Sequence, residues 1–187
     1  FCKHISDAGV VFASVPANFG APTASSIILV TPDAARSMNT FLGASLEFQP
    51  EDISFIAASD ASVIYLEGYL FDAPAGPYIY AQAARVAAQS RAKIALSLSD
   101  AWCVDRHRDA LWKFVKDHVD ILFANEDEAI SLVKADHLTL IQKLKNIVED
   151  VVITRGHLGA VICHAGTQFV VDAKPQGPVV DTTGAGD

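Results

Sequence analysis

Short apolar runs alternate with amphipathic segments over most of the chain. The apolar runs predict strands, which are Val63–Leu66, Lys93–Leu98, Ile121–Ala124, Val151–Thr154, Ala160–Cys163 and Gln168–Val171. The amphipathic segments predict helices, which are Tyr78–Ser90, the residues after Ser99-Asp100, Glu126–Val133 and Leu138–Val148. Strand followed by helix in this order is typical of parallel βαβ units. The pattern therefore predicts one α/β domain whose sheet is covered by helices on both faces.

The N-terminal third is less regular. Residues 1–8 are typical of the end of a helix, with Gly9 as its cap. Val10–Val15 and Ser26–Thr31 favour short strands, and the Pro, Gly and Asn residues between them predict a connecting loop. The segment Arg36–Leu42 fits either a third strand or one turn of helix. Pro50 opens a short helix with acidic residues in its first turn.

The helix after Lys93–Leu98 has signals at its start and along one face. Either Ser99 or Asp100 can cap it. Its apolar side chains recur at the spacing of one helical face, at Leu111, Phe114, Val115 and Val119. We expect this face to pack against the sheet.

Composition and charge narrow the class of protein. Hydrophobic residues make up 51% of the 187 residues and charged residues 19%, which is enough for a core and excludes global disorder. Fourteen basic against 22 acidic residues give a formal charge of −8, which disfavours nucleic acid and anionic membranes as partners. The uncharged stretch 8–32 contains Pro and Gly residues that would break a spanning helix. A small molecule therefore remains as the predicted class of binding partner.

The cysteines and histidines do not form a metal motif. Cys2, Cys103 and Cys163 are far apart and odd in number, which predicts reduced thiols and a cytoplasmic location. The six histidines include no pair at the i, i+4 spacing of a metal-binding helix, and we expect them on helix surfaces or in loops.

The last nine residues are the most informative segment. An apolar strand end at Val179 and Val180 runs into Asp-Thr-Thr-Gly-Ala-Gly-Asp. Gly184, Ala185 and Gly186 leave the backbone bare, so their N–H groups could converge on a phosphoryl group at the start of a helix. Asp187 would then stand beside the phosphorus and accept a proton from the attacking hydroxyl. The alternative is a glycine-rich turn in which Asp187 is an ordinary helix cap.

This string after an apolar strand resembles the second motif of the ribokinase-like (PfkB) carbohydrate kinase family. The resemblance implies ATP-dependent phosphorylation of a sugar or nucleoside hydroxyl. It also implies a three-layer α/β/α sheet with a small β lid. Within that resemblance Asp187 is the catalytic base, residues 184–186 form the anion hole, and Thr182 binds the nucleotide. Asp181 and Thr183 match positions that bind a monovalent cation such as K⁺ in several members.

Two further segments resemble the family in the right order. Asn125 and Glu128, directly after a predicted strand, resemble its Asn-x-x-Glu motif, which implies that they orient Mg²⁺ and its waters. Read without the family, Asn125 caps the next helix and Glu128 occupies the first turn, and both interpretations can hold together. Thr154-Arg155-Gly156 resembles the turn that lies along the nucleotide, and is otherwise a turn between strands.

The sequence allows two interpretations for each of two charged residues, Arg36 and Glu67. Arg36 follows a predicted strand at a distance that resembles the adenosine kinases of this family, in which the Arg reaches the transferring phosphate. A solvated surface charge is the alternative for Arg36. Glu67 ends a predicted strand, where open α/β sheets bind ligands, so it either faces the substrate or lies on the surface.

The resemblance covers the middle of a family member. We expect residues 1–187 to be an incomplete kinase domain in which residues 10–45 contribute to the lid. The N-terminal substrate part and the C-terminal nucleotide part would lie outside it, and the fragment alone would be inactive. The leading hypothesis is transfer of the γ-phosphoryl group of Mg·ATP to the adenosine 5′-hydroxyl. The alternatives are a sugar kinase of the ribokinase or fructokinase type and a non-catalytic α/β ligand-binding module.

Overall fold

The computed structural model describes residues 1–12, 19–53, 60–174 and 177–184. Its strands are β1 (Ser25–Val30), β2 (Arg36–Phe41), β3 (Val63–Glu67), β4 (Lys93–Ser97), β5 (Ile121–Asn125), β6 (Asp150–Thr154), β7 (Ala160–His164) and β8 (Thr167–Val171). Its α-helices are α1 (Cys2–Asp7), α2 (Gly76–Ser90), α3 (Ala101–His118), α4 (Glu126–Val133) and α5 (His137–Leu144). Short 3₁₀ turns cover Gly43–Glu47, Pro50–Asp52, Gly68–Asp72 and Gly156–Leu158. None of the helices in these ranges is long and apolar enough to cross a bilayer.

The central sheet has six strands, β3 to β8, which lie side by side in chain order. β3 to β6 are parallel, while β7 and β8 pair antiparallel. The parallel βαβ units predicted from the sequence are confirmed for β3 to β6. The hairpin between β7 and β8 turns at Ala165 and Gly166, which both have positive φ.

One face of this sheet carries the core. Alternate strand residues point to α2, α3, α4 and α5 and are buried with them, at Leu66, Ile94, Leu96, Leu122, Ala124, Val151, Ile153 and Cys163. Burial of a side chain such as Leu122 contributes about 1.5–3 kcal/mol. On the opposite face, the described residues leave large apolar side chains exposed, at Val63, Tyr65, Phe123, Phe169 and Val171. The described part of the chain therefore supplies two of the three expected layers.

β1 and β2 form a separate antiparallel hairpin in which every strand residue is exposed, while Ala34 in the turn is buried. The segment that fitted either strand or helix is thus a strand over Arg36–Phe41. The predicted strand Val10–Val15 is not present in its described part, residues 10–12. The Val10 amide donates to the Ile5 carbonyl at 3.1 Å and completes the C-terminal cap of α1, with Gly9 at φ +79°. Residues 13–15 lie outside the described ranges.

The structure determines the start of one helix and the end of another, which the sequence left open or predicted differently. Asp100, not Ser99, caps α3, and its Oδ1 accepts from the amides of Trp102 at 2.8 Å and Cys103 at 3.0 Å. The predicted helix 138–148 ends at Leu144, because the chain turns there before entering β6.

Replacing Asp100 with alanine should lower the free energy of unfolding by about 1 kcal/mol, because two amides at the start of α3 lose their acceptor. Denaturant unfolding of the Asp100→Ala protein would measure this. Asp109→Ala is the matched control, since Asp109 is on the same helix with its side chain 96% exposed. Equal stability of the two variants would contradict the capping role.

Candidate active site

A cleft of about 570 Å³ opens at the carboxyl ends of the parallel strands, the edge at which open α/β sheets bind ligands. Its lining residues are Arg36, Tyr65, Glu67, Tyr69, Ser97, Ser99, Phe123, Ala124, Asn125, Glu128, Thr154 and Gly184. Five of the residues singled out in the sequence for a site therefore lie at one cleft, namely Arg36, Asn125, Glu128, Thr154 and Gly184. Glu67, which had two possible positions, faces it as well.

Asn125 and Glu128 hold each other at the start of α4. The Asn125 Oδ1 accepts from the Glu128 amide at 2.8 Å, and the Glu128 carboxylate accepts from the Asn125 amide at 2.9 Å and side-chain Nδ2 at 2.7 Å. This is the capping box that one interpretation of the sequence predicted. Glu128 is only 7% exposed, and its burial raises the pKa of the carboxyl above its ordinary value. No Lys or Arg among the described residues pairs with it.

Arg36 joins the hairpin to the segment that precedes the C-terminal Gly-Ala-Gly-Asp. Its Nη1 donates to the Thr182 carbonyl and, at 3.2 Å, to the Thr182 Oγ1. The Thr182 hydroxyl in turn donates to the Ala34 carbonyl at 3.3 Å. Arg36 is therefore an exposed residue at the cleft wall that is hydrogen-bonded to Thr182, and both interpretations of it stay open.

The following residues form a tight turn. The Asp181 carboxylate accepts from the amide and the hydroxyl of Thr183, each at 2.8 Å, and these bonds hold the pKa of Asp181 below its usual range. Gly184 has φ +74° and reaches the cleft. Ala185, Gly186 and Asp187, to which the anion hole and the base were assigned, lie outside the described residues.

The Thr154-Arg155-Gly156 segment divides between the cleft and its surroundings. Thr154 lines the cleft at the end of β6. Arg155 forms an ion pair with Glu126, with 3.5 Å between Nε and Oε1. Gly156 has φ +54°, and no atom of the described residues lies within 4 Å of the position that a Cβ would occupy there.

Aromatic side chains at the cleft were missed in the sequence. Tyr65 on β3 and Phe123 on β5 have ring centroids 6.4 Å apart, and the small residues Ala95 and Ser97 of β4 lie between their strands. Tyr69 lies just after β3, and its partial burial raises its pKa. The alternation of residues in Ile121–Ala124 could have indicated this position of Phe123. Successive strand residues point to opposite faces of a sheet, so Phe123 points away from the face that carries the core.

A polar cluster lies behind the Gly68–Asp72 turn. The Asp72 carboxylate accepts from Arg106 Nε at 3.1 Å, Arg106 Nη2 at 2.6 Å and His107 Nε2 at 2.8 Å. The Asp72, Cys103 and His107 ligand atoms lie within 4.8 Å of one another. Cys103 and His107 have the i, i+4 spacing that no pair of histidines in the sequence has. His107 is half-buried rather than a surface residue.

Comparison with protein families matches the whole chain, residues 1–187, to the family described as pfkB family carbohydrate kinase. No curated protein sequence matches the chain significantly.

The solved structures that are similar to the chain include the following three. The adenosine kinase from Sinorhizobium meliloti is 37% identical, with a TM-score of 0.93 over 100% of this chain and 57% of its own. A probable sugar kinase from Rhizobium etli CFN 42 is 38% identical, with a TM-score of 0.92 over 99% of this chain and 57% of its own. Anopheles gambiae adenosine kinase, in complex with P1,P4-di(adenosine-5) tetraphosphate, is 27% identical, with a TM-score of 0.75 over 89% of this chain and 54% of its own. The chain thus spans little more than half the length of each, and the predicted ribokinase-like α/β fold is confirmed.

The Asp72 cluster predicts a pH-dependent contribution to stability. Hydrogen bonds from Arg106 chiefly, and from His107, lower the pKa of Asp72 from its ordinary value of 3.8. The stabilisation is therefore present above that value and is lost as the pH falls through the lower folded-state pKa. Because Arg106 is half-exposed, we expect Asp72→Asn to lower the free energy of unfolding by only about 1 kcal/mol at pH 7. Denaturant unfolding between pH 7 and pH 3 should show the difference from the unsubstituted protein shrinking at the acid end.

Asp109→Asn serves as the control, because Asp109 pairs only with the adjacent Arg108 among the described residues. A difference for Asp72→Asn that grows toward acid pH would contradict the assignment.

Proposed function

The chain belongs to the pfkB family of carbohydrate kinases, and on that premise we propose that it is part of an ATP-dependent kinase acting on a nucleoside hydroxyl. The preferred reaction is transfer of the γ-phosphoryl group of ATP to the adenosine 5′-hydroxyl. The name of the Sinorhizobium meliloti structure supports this substrate.

The convergence of Arg36, Thr182 and the Asn125–Glu128 box on one cleft carries the proposal. These residues come from the hairpin, the C-terminal segment and the start of α4. A guanidinium at the wall of such a cleft presents a planar fork of donors to a phosphoryl group. In the present arrangement that fork binds the Thr182 carbonyl, so a phosphoryl group would take over part of its hydrogen bonding.

The reacting groups are assigned by the C-terminal motif. Asp187 is proposed as the general base, accepting the proton of the hydroxyl as its oxygen attacks phosphorus. The amides of Gly184, Ala185 and Gly186 are proposed to donate to the phosphoryl oxygens, where negative charge must be stabilised during in-line transfer. Thr182, Thr154, Arg155 and Gly156 are proposed to contact the nucleotide. Bare backbone in this segment supports close approach of a phosphate.

Glu128 and Asn125 are proposed to hold Mg²⁺ through its waters. Their oxygens are hard donors at the cleft edge, and a buried carboxylate without a cationic partner in the described residues fits a nearby divalent ion. Mg²⁺ would neutralise the charge of the phosphates during transfer. Asp181 and Thr183, which present carboxylate and hydroxyl oxygens, are proposed ligands of a monovalent cation such as K⁺.

Tyr65, Tyr69 and Phe123 support a nucleoside as the acceptor, because a planar base stacks on aromatic rings. Glu67 supports the second candidate, a sugar kinase of the ribokinase or fructokinase type, because a carboxylate accepts hydrogen bonds from sugar hydroxyls. The name of the Rhizobium etli structure agrees with that alternative. A non-catalytic α/β ligand-binding module is the third candidate.

The remaining assignments follow from the same proposal. Residues 10–45 are proposed to belong to a lid, supported by the exposed β1–β2 hairpin. A cytoplasmic location is proposed because all three cysteines are free thiols. The partner is a small-molecule substrate.

Purified enzyme of full family length that carries this sequence should phosphorylate adenosine with Mg·ATP in preference to ribose and fructose. In the same enzyme, Asp187→Asn should lower kcat by about 10³-fold with ligand binding largely kept, as expected for loss of a positioned base. A coupled assay for ADP and calorimetric titration would measure the two quantities. Asp172→Asn is the control at an exposed aspartate.

Preference for ribose or fructose would favour the sugar kinase. Ligand binding without turnover of any of the three acceptors by the unsubstituted enzyme would favour the binding module.

Arg36→Gln should lower kcat by about 100-fold, because it removes a charged donor from the transferring phosphoryl group. The KM for the acceptor should change little. Arg85→Gln, at an exposed arginine of α2, is the matched control for loss of one positive charge. An unchanged kcat for Arg36→Gln in steady-state assays would remove Arg36 from the site.

A further inference from the structure

Three side chains bind the backbone on either side of Gly68, where β3 reaches the cleft. The Tyr80 hydroxyl of α2 donates to the Glu67 carbonyl at 2.8 Å. The Gly68 amide donates to Ser99 Oγ at 2.9 Å. The Cys103 thiol of α3 donates to the Gly68 carbonyl at 3.3 Å. Two consecutive peptide groups are thus held by side chains from two parts of the chain, α2 and the segment that leads into the first turn of α3.

The backbone at Gly68 is closely packed against Leu98, and the side chains that bind it are buried or partly buried. Tyr80 is 1% exposed and Cys103 has no exposed surface, so a lost hydrogen bond here cannot be replaced readily by water. A Cβ on Gly68 would lie 2.2 Å from the Leu98 carbonyl oxygen. Ser99 itself has φ +69°, an uncommon conformation for a residue other than glycine. The ends of β3 and β4 are therefore in direct contact at this point.

Cys103 acts here as a hydrogen-bond donor to the Gly68 carbonyl. Burial raises the pKa of its thiol to about 11, so the proton needed for the bond to Gly68 is present at neutral pH. Both oxygens of Asp72 accept from Arg106, and one also accepts from His107. The ion pair between Asp72 and Arg106 holds the far end of the Gly68–Asp72 turn.

The two residues that flank Gly68, Glu67 and Tyr69, both line the cleft. We propose that Tyr80 and Cys103 are positioning residues for the acceptor substrate, because they fix the Gly68 backbone and with it the directions of the Glu67 and Tyr69 side chains. This inference rests on the proposed kinase function. Asn125, which is assigned to Mg²⁺, and Thr154, which is assigned to the nucleotide, lie at the ends of other strands, so the effect should be confined to the acceptor.

The kinetic test compares Cys103→Ala with Cys103→Ser and Tyr80→Phe in the full-length enzyme. Loss of one buried donor should raise the acceptor KM by about 3- to 10-fold for Cys103→Ala and for Tyr80→Phe, with the ATP KM changed by less than about 2-fold. Cys103→Ser keeps a donor and should restore most of the affinity. Cys163→Ala is the matched control, since Cys163 is 1% exposed in β7 and does not line the cleft.

An equal rise in the ATP KM, or a rise in the acceptor KM for Cys163→Ala as large as that for Cys103→Ala, would overturn the proposal. So would an acceptor KM unchanged in both Cys103→Ala and Tyr80→Phe.

Amide hydrogen exchange separates failure of this inference from failure of the kinase function. Exchange in a peptide spanning residues 66–71 should speed up in Cys103→Ala and Tyr80→Phe, and exchange over residues 121–126 should not. Cys163→Ala should leave residues 66–71 unchanged. These measurements need no turnover, so an enzyme that phosphorylates no nucleoside or sugar would refute the function while the exchange data still test the anchoring. Unchanged exchange at 66–71 in both variants would refute the anchoring.

Discussion

The parallel pairing of β3 to β6 is the constraint on which the cleft depends. Parallel strands in register end at the same edge of the sheet, so the last residues of four different strands, Glu67, Ser97, Asn125 and Thr154, are brought together. The helices that connect these strands all return across one face, which leaves the carboxyl edge free for ligands. The position of the cleft thus depends first on the direction of the strands, and only then on individual side chains.

Two local arrangements then fix the positions of the residues at this edge of the sheet. At the end of β5, the Asn125–Glu128 box ends the strand and begins α4 within four residues, so the same atoms cap a helix and face the cleft. At the end of β3, the chain approaches β4 too closely for any side chain at Gly68. Both arrangements satisfy buried backbone groups with side chains, which is why they also restrict movement.

The sequence was sufficient where a feature depends on neighbours in the chain. The strands β3 to β8 were predicted within a residue or two, because each is an apolar run of strand length, and the capping box could be read from Asn125 and Glu128 alone. Arg36 could not be resolved in this way, because its partner Thr182 is 146 residues further along the chain. The role of Ser99 was hidden for the same reason, since its hydroxyl accepts from Gly68, 31 residues earlier, instead of capping α3.

Charge connects the cleft to the proposed reaction. The protein carries a formal charge of −8, and the charged residues among those lining the cleft are Glu67, Glu128 and Arg36. One guanidinium against two carboxylates cannot by itself attract a triphosphate, since like charges at close range repel. In the proposed kinase, and as far as the described lining residues go, a phosphate would therefore be received mainly by backbone amides, which carry no net charge, and by a cation that offsets the buried Glu128. The proposed kinase meets both requirements with the Gly-Ala-Gly backbone and Mg²⁺, so the anionic character of the chain is consistent with binding a nucleotide.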